Sequence, residues 1–321
     1  MQQTIEQTGS RSGVGEVLHP LDAADQAVVE EMRAQIAPFK GTMIGPEARE
    51  PFDAIMEHVP DAPGVSYEDG VVGGIPGVWC RPQQANPANV ILYFHGGAYV
   101  FGSAYAYRHL AGQIASRANA VAFVAEYRLA PEYPFPAALE DALAAYRGLV
   151  ETGARALALV GDSAGGGLAL GMLSSDLFQE GADGGNALRA VVALSPWTDL
   201  AMTGPSLRER AVEDPMLTPN MLEITGASYL RGHDSRDPRV SPLYGRLTNL
   251  PPVQIHVGTS EILLDDARRY VSRAREEGGD ATAHVWEGMP HVFPTSAGTL
   301  VAADQALEMI GDFLREKLSA E

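Results

Sequence analysis

The feature that most constrains the fold is a series of six short apolar runs between residues 89 and 288. They read NVILYFH, AVAFVAEY, ALALVGD, LRAVVALS, PPVQIHVG and ATAHVWEG. Stretches with helical spacing separate most of these runs, over residues 105–118, 136–152, 164–180 and 265–277. Apolar strands that alternate with helices predict a mainly parallel sheet covered by helices on both faces. We therefore expect an α/β fold.

Two further regions depart from this rhythm. Residues 197–251 are rich in Pro, Met and Tyr and have weak helical patterns, so we interpret them as an insertion above the sheet. Near the N-terminus, LDAADQAVVEEMRAQI has apolar residues at helical spacing, and a second short helix is predicted over 47–58. Paired strands are predicted around Val65–Tyr67 and Val78–Arg81.

Composition limits the partners and the compartment. The 321 residues include 23 basic and 41 acidic side chains, and the net charge of −18 disfavours nucleic acid or an anionic membrane as a partner. The segment MQQTIEQTGSRSG has no apolar core of a signal peptide, and we expect no membrane insertion. A lone cysteine, Cys80, excludes an internal disulfide and is typical of a reducing compartment. We expect a cytoplasmic protein.

LVGDSAGGG is the sharpest chemical signal. Ser163 is the serine of a G-x-S-x-G motif that has the preceding strand and following helix that such a motif requires. The flanking glycines permit a very tight turn, which holds the serine strained with its Oγ exposed. The helix behind it directs N–H groups toward a developing anion. This context predicts a nucleophile rather than an ordinary serine in a glycine-rich turn.

YFHGGAYVFGS ends the first of the six runs and predicts an oxyanion hole. An acyl-transfer enzyme needs N–H donors near the oxygen of its tetrahedral intermediate. Gly96 and Gly97 can bring their backbone that close, and Ala164, directly after the nucleophile, supplies a third N–H. His95 precedes these donors, so we interpret it as a structural hydrogen-bonding residue.

EGMPHVF follows the last predicted core strand and places His291 in a loop bounded by Gly and Pro. A serine hydroxyl is a poor nucleophile until an imidazole takes its proton. His291 has the best context of the eight histidines, because His256 and His284 lie inside apolar strands. The sequence has no metal-ligand spacing such as H-E-x-x-H, no P-loop and no dinucleotide motif, so we predict no metal and no cofactor.

Serine, acid and histidine occur here in the chain order of α/β-hydrolases. With HGGAYVFGS, EYRLAPEYPFPAALEDA, GDSAGGG, SPLYGRLTNLPPVQIHVG and GMPHVF, the chain from about residue 60 onward resembles the hormone-sensitive-lipase-like family of bacterial carboxylesterases. One departure is Ala98, where the family loop often has a third glycine. The resemblance implies an α/β-hydrolase core of about eight strands with a helical cap. It also implies hydrolysis of short- to medium-chain acyl esters without a cofactor.

The same resemblance predicts how the chain is divided. Residues 1–45 are expected to form the N-terminal part of the cap and residues 197–245 the cap insertion. The core is expected to comprise residues 46–196 and 246–321. Six residues of the insertion are expected to line or cover the substrate pocket: Trp197, Met202, Met216, Leu217, Met221 and Tyr229.

Three acids in HVGTSEILLDD are candidates for the acid of a Ser-His-acid triad. The usual family form after this strand is Asp-Pro-Leu-x-Asp-Glu, and EILLDD places Glu261 at the first Asp, which orients the histidine. Glu261 also lies in the loop past the strand, where a triad acid belongs. Asp265 and Asp266 are predicted in the first turn of the next helix, where acids have an ordinary stabilising role. We predict Glu261, with Asp265 as the alternative.

These residues support three hypotheses about the activity, of which ester hydrolysis is the first. A lactonase, an amidase or a deacetylase could use the same residues on a different small molecule. A ligand receptor of this fold without catalysis is a third hypothesis, which the presence of His291 disfavours. We expect a small-molecule ester as the partner. A homodimer is one of the alternatives for the oligomeric state.

Overall fold

A computed structural model describes residues 15–175, 178 and 187–319. Its strands are β1 Glu16–His19, β2 Val65–Val72, β3 Ile75–Pro82, β4 Asn86–Phe94, β5 Ala120–Ala125, β6 Ala156–Asp162, β7 Leu188–Leu194, β8 Val253–Gly258 and β9 Ala281–Trp286. They form one sheet in the order β1-β9-β8-β7-β6-β4-β5-β3-β2. The strands from β1 to β5 in that order are parallel, whereas β3 pairs antiparallel with β5 and with β2. The predicted, mainly parallel sheet is confirmed.

Helices cover both faces of this sheet. They are α1 Ala23–Ile36, α2 Arg49–Met56, α3 Ala104–Ala118, α4 Ala137–Glu151, α5 Ser163–Met172, α6 Ser206–Glu209, α7 Pro219–Leu230, α8 Leu264–Glu276 and α9 Val301–Ser319. Within the described ranges, no helix has both the length and the apolar character needed to cross a membrane. The helix predicted over 164–180 ends at Met172 as α5, and residues 176, 177, 179 and 180 of its predicted remainder lie outside the described residues.

The two helical layers follow from the alternation of side chains along each strand. In β4, Leu92 and Phe94 belong to the core cluster that includes α4, α5 and α8, whereas Ile91 and Tyr93 belong to the cluster that includes α3 and α9. Successive side chains of a strand point to opposite faces, so a strand buried on both sides is apolar throughout. This is why the six apolar runs showed no polar face.

The first part of the N-terminal segment belongs to the core, so its assignment to the cap is wrong for residues 16–36. Strand β1 pairs in parallel with β9 and covers an edge of the sheet that would otherwise have unpaired backbone groups. Helix α1 then buries Val29 in a cluster with Trp286 and Phe293. Asp25 accepts the Val301 and Ala302 N–H groups at the start of α9.

The segment between β7 and β8 contains α6 and α7, within the insertion predicted over 197–245. Acids at the start of α8 bind it to the core. Asp266 accepts the N–H groups of Thr198 and Asp199 at 2.8 and 2.9 Å, and Asp265 accepts that of Ser206 at 2.7 Å. The loop after α1 also contacts the insertion, since the Gly41 N–H donates to the carbonyl of Met216.

Candidate active site

Ser163 lies at the turn between β6 and α5, in the strained geometry that its motif predicts. Its φ is +50°, a left-handed conformation that non-glycine residues rarely adopt. The glycines beside it have no room for a side chain. A Cβ on Gly165 would lie 2.1 Å from the Phe94 carbonyl oxygen, and a Cβ on Gly161 would lie 2.5 Å from that of Gly165. The turn therefore requires these glycines and leaves the serine half-buried.

The structure brings Ser163, His291 and Glu261 into one line of hydrogen bonds. Ser163 Oγ lies 3.0 Å from His291 Nε2, and His291 Nδ1 lies 2.8 Å from Glu261 Oε2. Each residue follows a parallel strand of the sheet, namely β6, β9 and β8. Because the carboxyl ends of parallel strands meet at one edge, three residues far apart in sequence converge there. Glu261 is completely buried and His291 nearly so.

The predicted oxyanion loop has its expected close packing, but one of its donors is already occupied. The N–H of Gly96 donates to Asp162 Oδ1 at 2.9 Å, so the assignment of Gly96 as an oxyanion donor is wrong. Gly97 has φ +113°, and a Cβ there would lie 2.0 Å from the Phe101 carbonyl oxygen. Ala98 follows with φ +53°. Among the hydrogen bonds of the described residues, none uses the N–H of Gly97 or Ala98.

Comparisons with known proteins identify the family. A family model described as the alpha/beta hydrolase fold matches residues 91–295. An acetyl-hydrolase of Streptomyces hygroscopicus is 41% identical over 247 residues, which are 76% of this chain and 81% of the relative. The chain belongs to the α/β-hydrolase family.

Further relatives narrow the position of this hydrolase within the family. The crystal structure of an esterase from the bacterial hormone-sensitive lipase family is 36% identical with a TM-score of 0.85, covering 92% of this chain and 99% of that one. An ethyl acetate hydrolase of Pseudomonas putida is 33% identical over 249 residues, 74% of this chain and 77% of the relative. The predicted fold and the hormone-sensitive-lipase-like family are confirmed, and the chain is a carboxylic-ester hydrolase.

Asp162, directly before Ser163, anchors the predicted oxyanion loop of this hydrolase. Besides the Gly96 N–H, it accepts the hydroxyl protons of Tyr93 and Tyr107 at 2.9 and 3.0 Å. Burial raises the pKa of Asp162 to about 6, although these hydrogen bonds and the charge of His291 oppose that shift. Sequence reasoning missed this role. The only signal was the position of an acid inside the serine motif.

His95 has the structural role that the sequence predicted. Its Nδ1 donates to the carbonyl of Gly96 at 2.8 Å, and its own carbonyl accepts the hydroxyl proton of Tyr127 at 2.7 Å. The side chain is fully buried, and burial lowers the pKa of His95 to about 4. A neutral imidazole that shapes the loop fits these contacts.

Ser195 is a second residue that sequence reasoning missed. It follows β7, and its hydroxyl donates to Glu261 Oε1 at 2.7 Å while accepting the N–H of Val292 at 3.0 Å. Glu261 Oε1 also accepts the N–H of Gly258 at 2.7 Å. These contacts leave Oε2 to His291 and tie the acid loop to the histidine loop. The available signal was a serine at the carboxyl end of a strand beside the acid's strand.

Asp265 and Asp266 lie in the first turn of α8, as predicted. Asp265 exchanges two hydrogen bonds with Ser206, one through its carboxylate and one through its N–H. Asp266 binds the start of the insertion. Neither carboxylate has a hydrogen bond to His291 in the described part of the chain, so the alternative triad acid is not supported by the geometry.

Opposing effects act on the basicity of His291. Burial alone would lower its pKa, but the hydrogen bond and charge of Glu261, together with the charges of Asp214 and Asp162, raise the pKa of His291 above its ordinary value. The imidazolium that forms when His291 accepts a proton is therefore stabilised by three carboxylates. Such a shift is typical of a residue that exchanges protons in a reaction.

The six predicted pocket residues pack in or against the main core cluster. Four of them are buried in this cluster, namely Trp197, Leu217, Met221 and Tyr229. The other two, Met202 and Met216, are partly buried against it. The backbone N–H of Trp197 donates to the Ser163 carbonyl at 2.9 Å. The Tyr229 ring stacks on Tyr99 of the oxyanion loop with centroids 3.8 Å apart. Their lining of the pocket stays a prediction.

Three other histidines, none of them in the predicted triad, are joined in a chain of hydrogen bonds. His19 Nε2 lies 2.9 Å from His284 Nδ1, and Gln254 bridges His284 to His256 at 3.3 and 3.2 Å. Trp286 Nε1 donates to His256 Nδ1 at 3.2 Å. In the residues the structure describes, no group of three or more His, Cys, Asp or Glu could hold a metal ion.

Proposed function

We propose that this hydrolase is a serine carboxylesterase that cleaves short- to medium-chain acyl esters through an acyl-enzyme intermediate. Ser163 is the nucleophile, His291 the general base and Glu261 the acid that orients it. The observation that carries the proposal is the continuous line of hydrogen bonds from Ser163 Oγ through the imidazole to Glu261 Oε2. The same sequence of contacts defines serine hydrolase triads on unrelated folds.

The reaction follows from these contacts. His291 Nε2 takes the hydroxyl proton as Ser163 Oγ attacks the ester carbonyl carbon, and Glu261 stabilises the imidazolium. The tetrahedral intermediate collapses when His291 gives that proton to the leaving alcohol, which leaves the acyl group on Ser163. A water molecule then loses a proton to His291 and attacks the acyl-enzyme. Collapse of the second intermediate releases the acid and restores the serine hydroxyl.

The oxyanion donors in this proposal are the N–H groups of Gly97, Ala98 and Ala164. Ala98 takes the donor role that the sequence predicted for Gly96, because the Gly96 N–H already donates to Asp162. Ala164 is the second residue of α5, where backbone N–H groups have no partner within the helix. The tight turn at Gly97 supports this assignment, since it brings consecutive N–H groups to the carboxyl end of β4.

We expect the preferred acyl chains to be the shortest of this short- to medium-chain range. Two relatives are named an acetyl-hydrolase and an ethyl acetate hydrolase. The match with this chain covers more than three quarters of the length of each. The large buried side chain of Trp197, whose backbone N–H binds the Ser163 carbonyl, supports a small acyl site. Lactones and amides, whose cleavage needs the same residues, are the alternatives to test alongside.

The test is a panel of p-nitrophenyl esters from acetate to dodecanoate, with a lactone and an anilide of matched acyl length. Hydrolysis that is fastest on acetate or butyrate supports the proposal. Ser163→Ala is expected to lower kcat by about 10⁶ while leaving the fold unchanged. Binding of esters without turnover by the unmodified protein would instead favour the receptor hypothesis.

A further inference from the structure

A second buried carboxylate holds the turn that carries Glu261. Asp214 lies in the insertion between α6 and α7, and its Oδ2 accepts the N–H of Ile262 at 2.9 Å. Ile262 directly follows Glu261 in the chain. The bond therefore joins the insertion to the backbone next to the acid of the triad.

Burial raises the pKa of the Asp214 carboxyl above its ordinary value, and the charge of His291 and three backbone hydrogen bonds oppose that shift. Its Oδ1 accepts the N–H groups of Met216 and Leu217, each at 2.8 Å, and the side chain is completely buried. The three hydrogen bonds that Asp214 accepts thus come from backbone N–H groups, which favour the ionised carboxylate. Two of these N–H groups belong to the insertion itself, and the third belongs to the turn that carries Glu261.

Asp214 also acts on His291 through its charge. The groups that raise the pKa of His291 against the effect of burial are Glu261, Asp214 and Asp162. Glu261 bonds the imidazole and Asp162 holds the oxyanion loop, so each belongs to the core. Asp214 is the only one of these three that the insertion supplies.

We propose that Asp214 is a positioning residue for the triad. It fixes the Glu261 turn through Ile262 and places a negative charge near His291, so that a correctly docked insertion is needed for full activity. This proposal rests on the proposed function, because it assigns Glu261 and His291 their roles there. Asp214 does not touch the substrate or the reacting atoms.

Asp265 provides a matched comparison. Like Asp214, it is an acid that bonds the insertion to the acid turn, here through Ser206. Unlike Asp214, it is not among the groups that act on His291. Asp265→Asn therefore weakens the connection to the insertion without changing the charge at the histidine, which separates tethering from positioning.

The experiment compares Asp214→Asn, Asp214→Glu and Asp265→Asn with the unmodified enzyme on p-nitrophenyl acetate, after circular dichroism has verified folding. Asp214→Asn is expected to lower kcat by about 10- to 100-fold with little change in KM, since a displaced acid misorients the base. The acid limb of kcat/KM should move to lower pH, because losing a negative neighbour lowers the pKa of His291. Asp265→Asn should leave kcat within about threefold and the limb in place.

The outcomes are distinct. An unchanged kcat and an unmoved acid limb in Asp214→Asn overturn the proposal, and so does an equal loss in Asp265→Asn. If Asp214→Asn does not fold, Asp214→Glu carries the test, because it keeps the charge but shifts the oxygen that binds Ile262. A lower kcat with an unmoved acid limb then supports the proposal, and an unchanged kcat overturns it. Inactivity of the unmodified enzyme would reject the proposed function instead.

Discussion

Glu261 and His291 lie 30 residues apart in the chain, and their side chains meet at 2.8 Å between Oε2 and Nδ1. Glu261→Gln replaces the charged partner of the imidazole with an amide of the same shape. The fold should survive, but the histidine should lose its orientation and its stabilised protonated form. We expect kcat to fall by about 10³–10⁴, measured by steady-state hydrolysis of p-nitrophenyl acetate.

Asp265→Asn is the natural control for that variant, because Asp265 is the alternative acid in the same segment. Its carboxylate binds Ser206, so its loss should cost far less activity. A dead Asp265 variant together with an active Glu261 variant would show that the triad acid has been assigned to the wrong residue.

The oxyanion loop offers a pair of neighbouring substitutions with opposite expectations. Ala98→Gly keeps every N–H and relieves a left-handed residue, so kcat should stay within about threefold of the unmodified enzyme. Gly97→Ala places a Cβ 2.0 Å from the Phe101 carbonyl oxygen and must displace the loop. Loss of the donor geometry should lower kcat by about 10² or more.

Rates and folding should be measured together for this pair. Circular dichroism and thermal unfolding identify any Gly97→Ala protein that has lost its structure rather than its donors. A folded Gly97→Ala enzyme with normal kcat would exclude these N–H groups from the oxyanion hole.

Local patterns explain which parts of the site the sequence could predict. Ser163 has a turn motif with its own strand and helix, and His291 and Glu261 follow strands that are visible as apolar runs. The error at Gly96 has a different origin, because its N–H is taken by Asp162, 66 residues away on β6. Sequence spacing shows that a backbone can approach an anion, but not which of its donors are already occupied.

Long-range pairing also explains why strand β1 was not predicted from the sequence. Strand β1 has only four residues, too few for alternation to distinguish it from a loop, and it is defined by pairing with β9. The roles of Ser195 and Asp214 depend on loops that follow different strands and converge only in three dimensions. Neither residue stands in a motif that marks such a contact.

The connection between α1 and α9 leads to a stability prediction. Asp25 is buried and accepts the N–H groups of Val301 and Ala302, which start α9. Asp25→Ala leaves the N–H groups of Val301 and Ala302 without this carboxylate, and loss of a helix cap costs about 0.5–2 kcal/mol. We expect the free energy of unfolding in urea to fall by about 1–2 kcal/mol, with kcat unchanged.

Asp22→Ala is the matched comparison, since Asp22 caps α1 with one hydrogen bond to the Ala24 N–H at an exposed position. Its effect should be smaller than that of Asp25→Ala. Equal effects of the two variants would mean that the bonds from Asp25 to α9 add nothing to an ordinary helix cap.

The last prediction concerns acid stability and the buried histidine chain. Gln254 donates to His284 Nε2, so the Nδ1 proton of His284 is donated to His19, and a further proton on Nε2 would break the first bond. Burial lowers the pKa of His284 to about 4, from an ordinary value near 6.5 in the unfolded chain. Between these values the unfolded state binds more protons than the folded state. Stability from the neutral histidine is therefore complete above about pH 6.5 and is lost as the pH falls toward 4.

His284→Gln should remove part of this pH dependence, because an amide can both accept from Gln254 and donate to His19 without titrating. The decrease in the free energy of unfolding between pH 7 and pH 5 should become smaller by on the order of 1–2 kcal/mol, measured by urea titration at both values. The exposed His58, which lies outside the chain of histidines, supplies the control variant His58→Gln. A pH dependence that His284→Gln leaves intact would mean that groups other than His284 cause the acid lability.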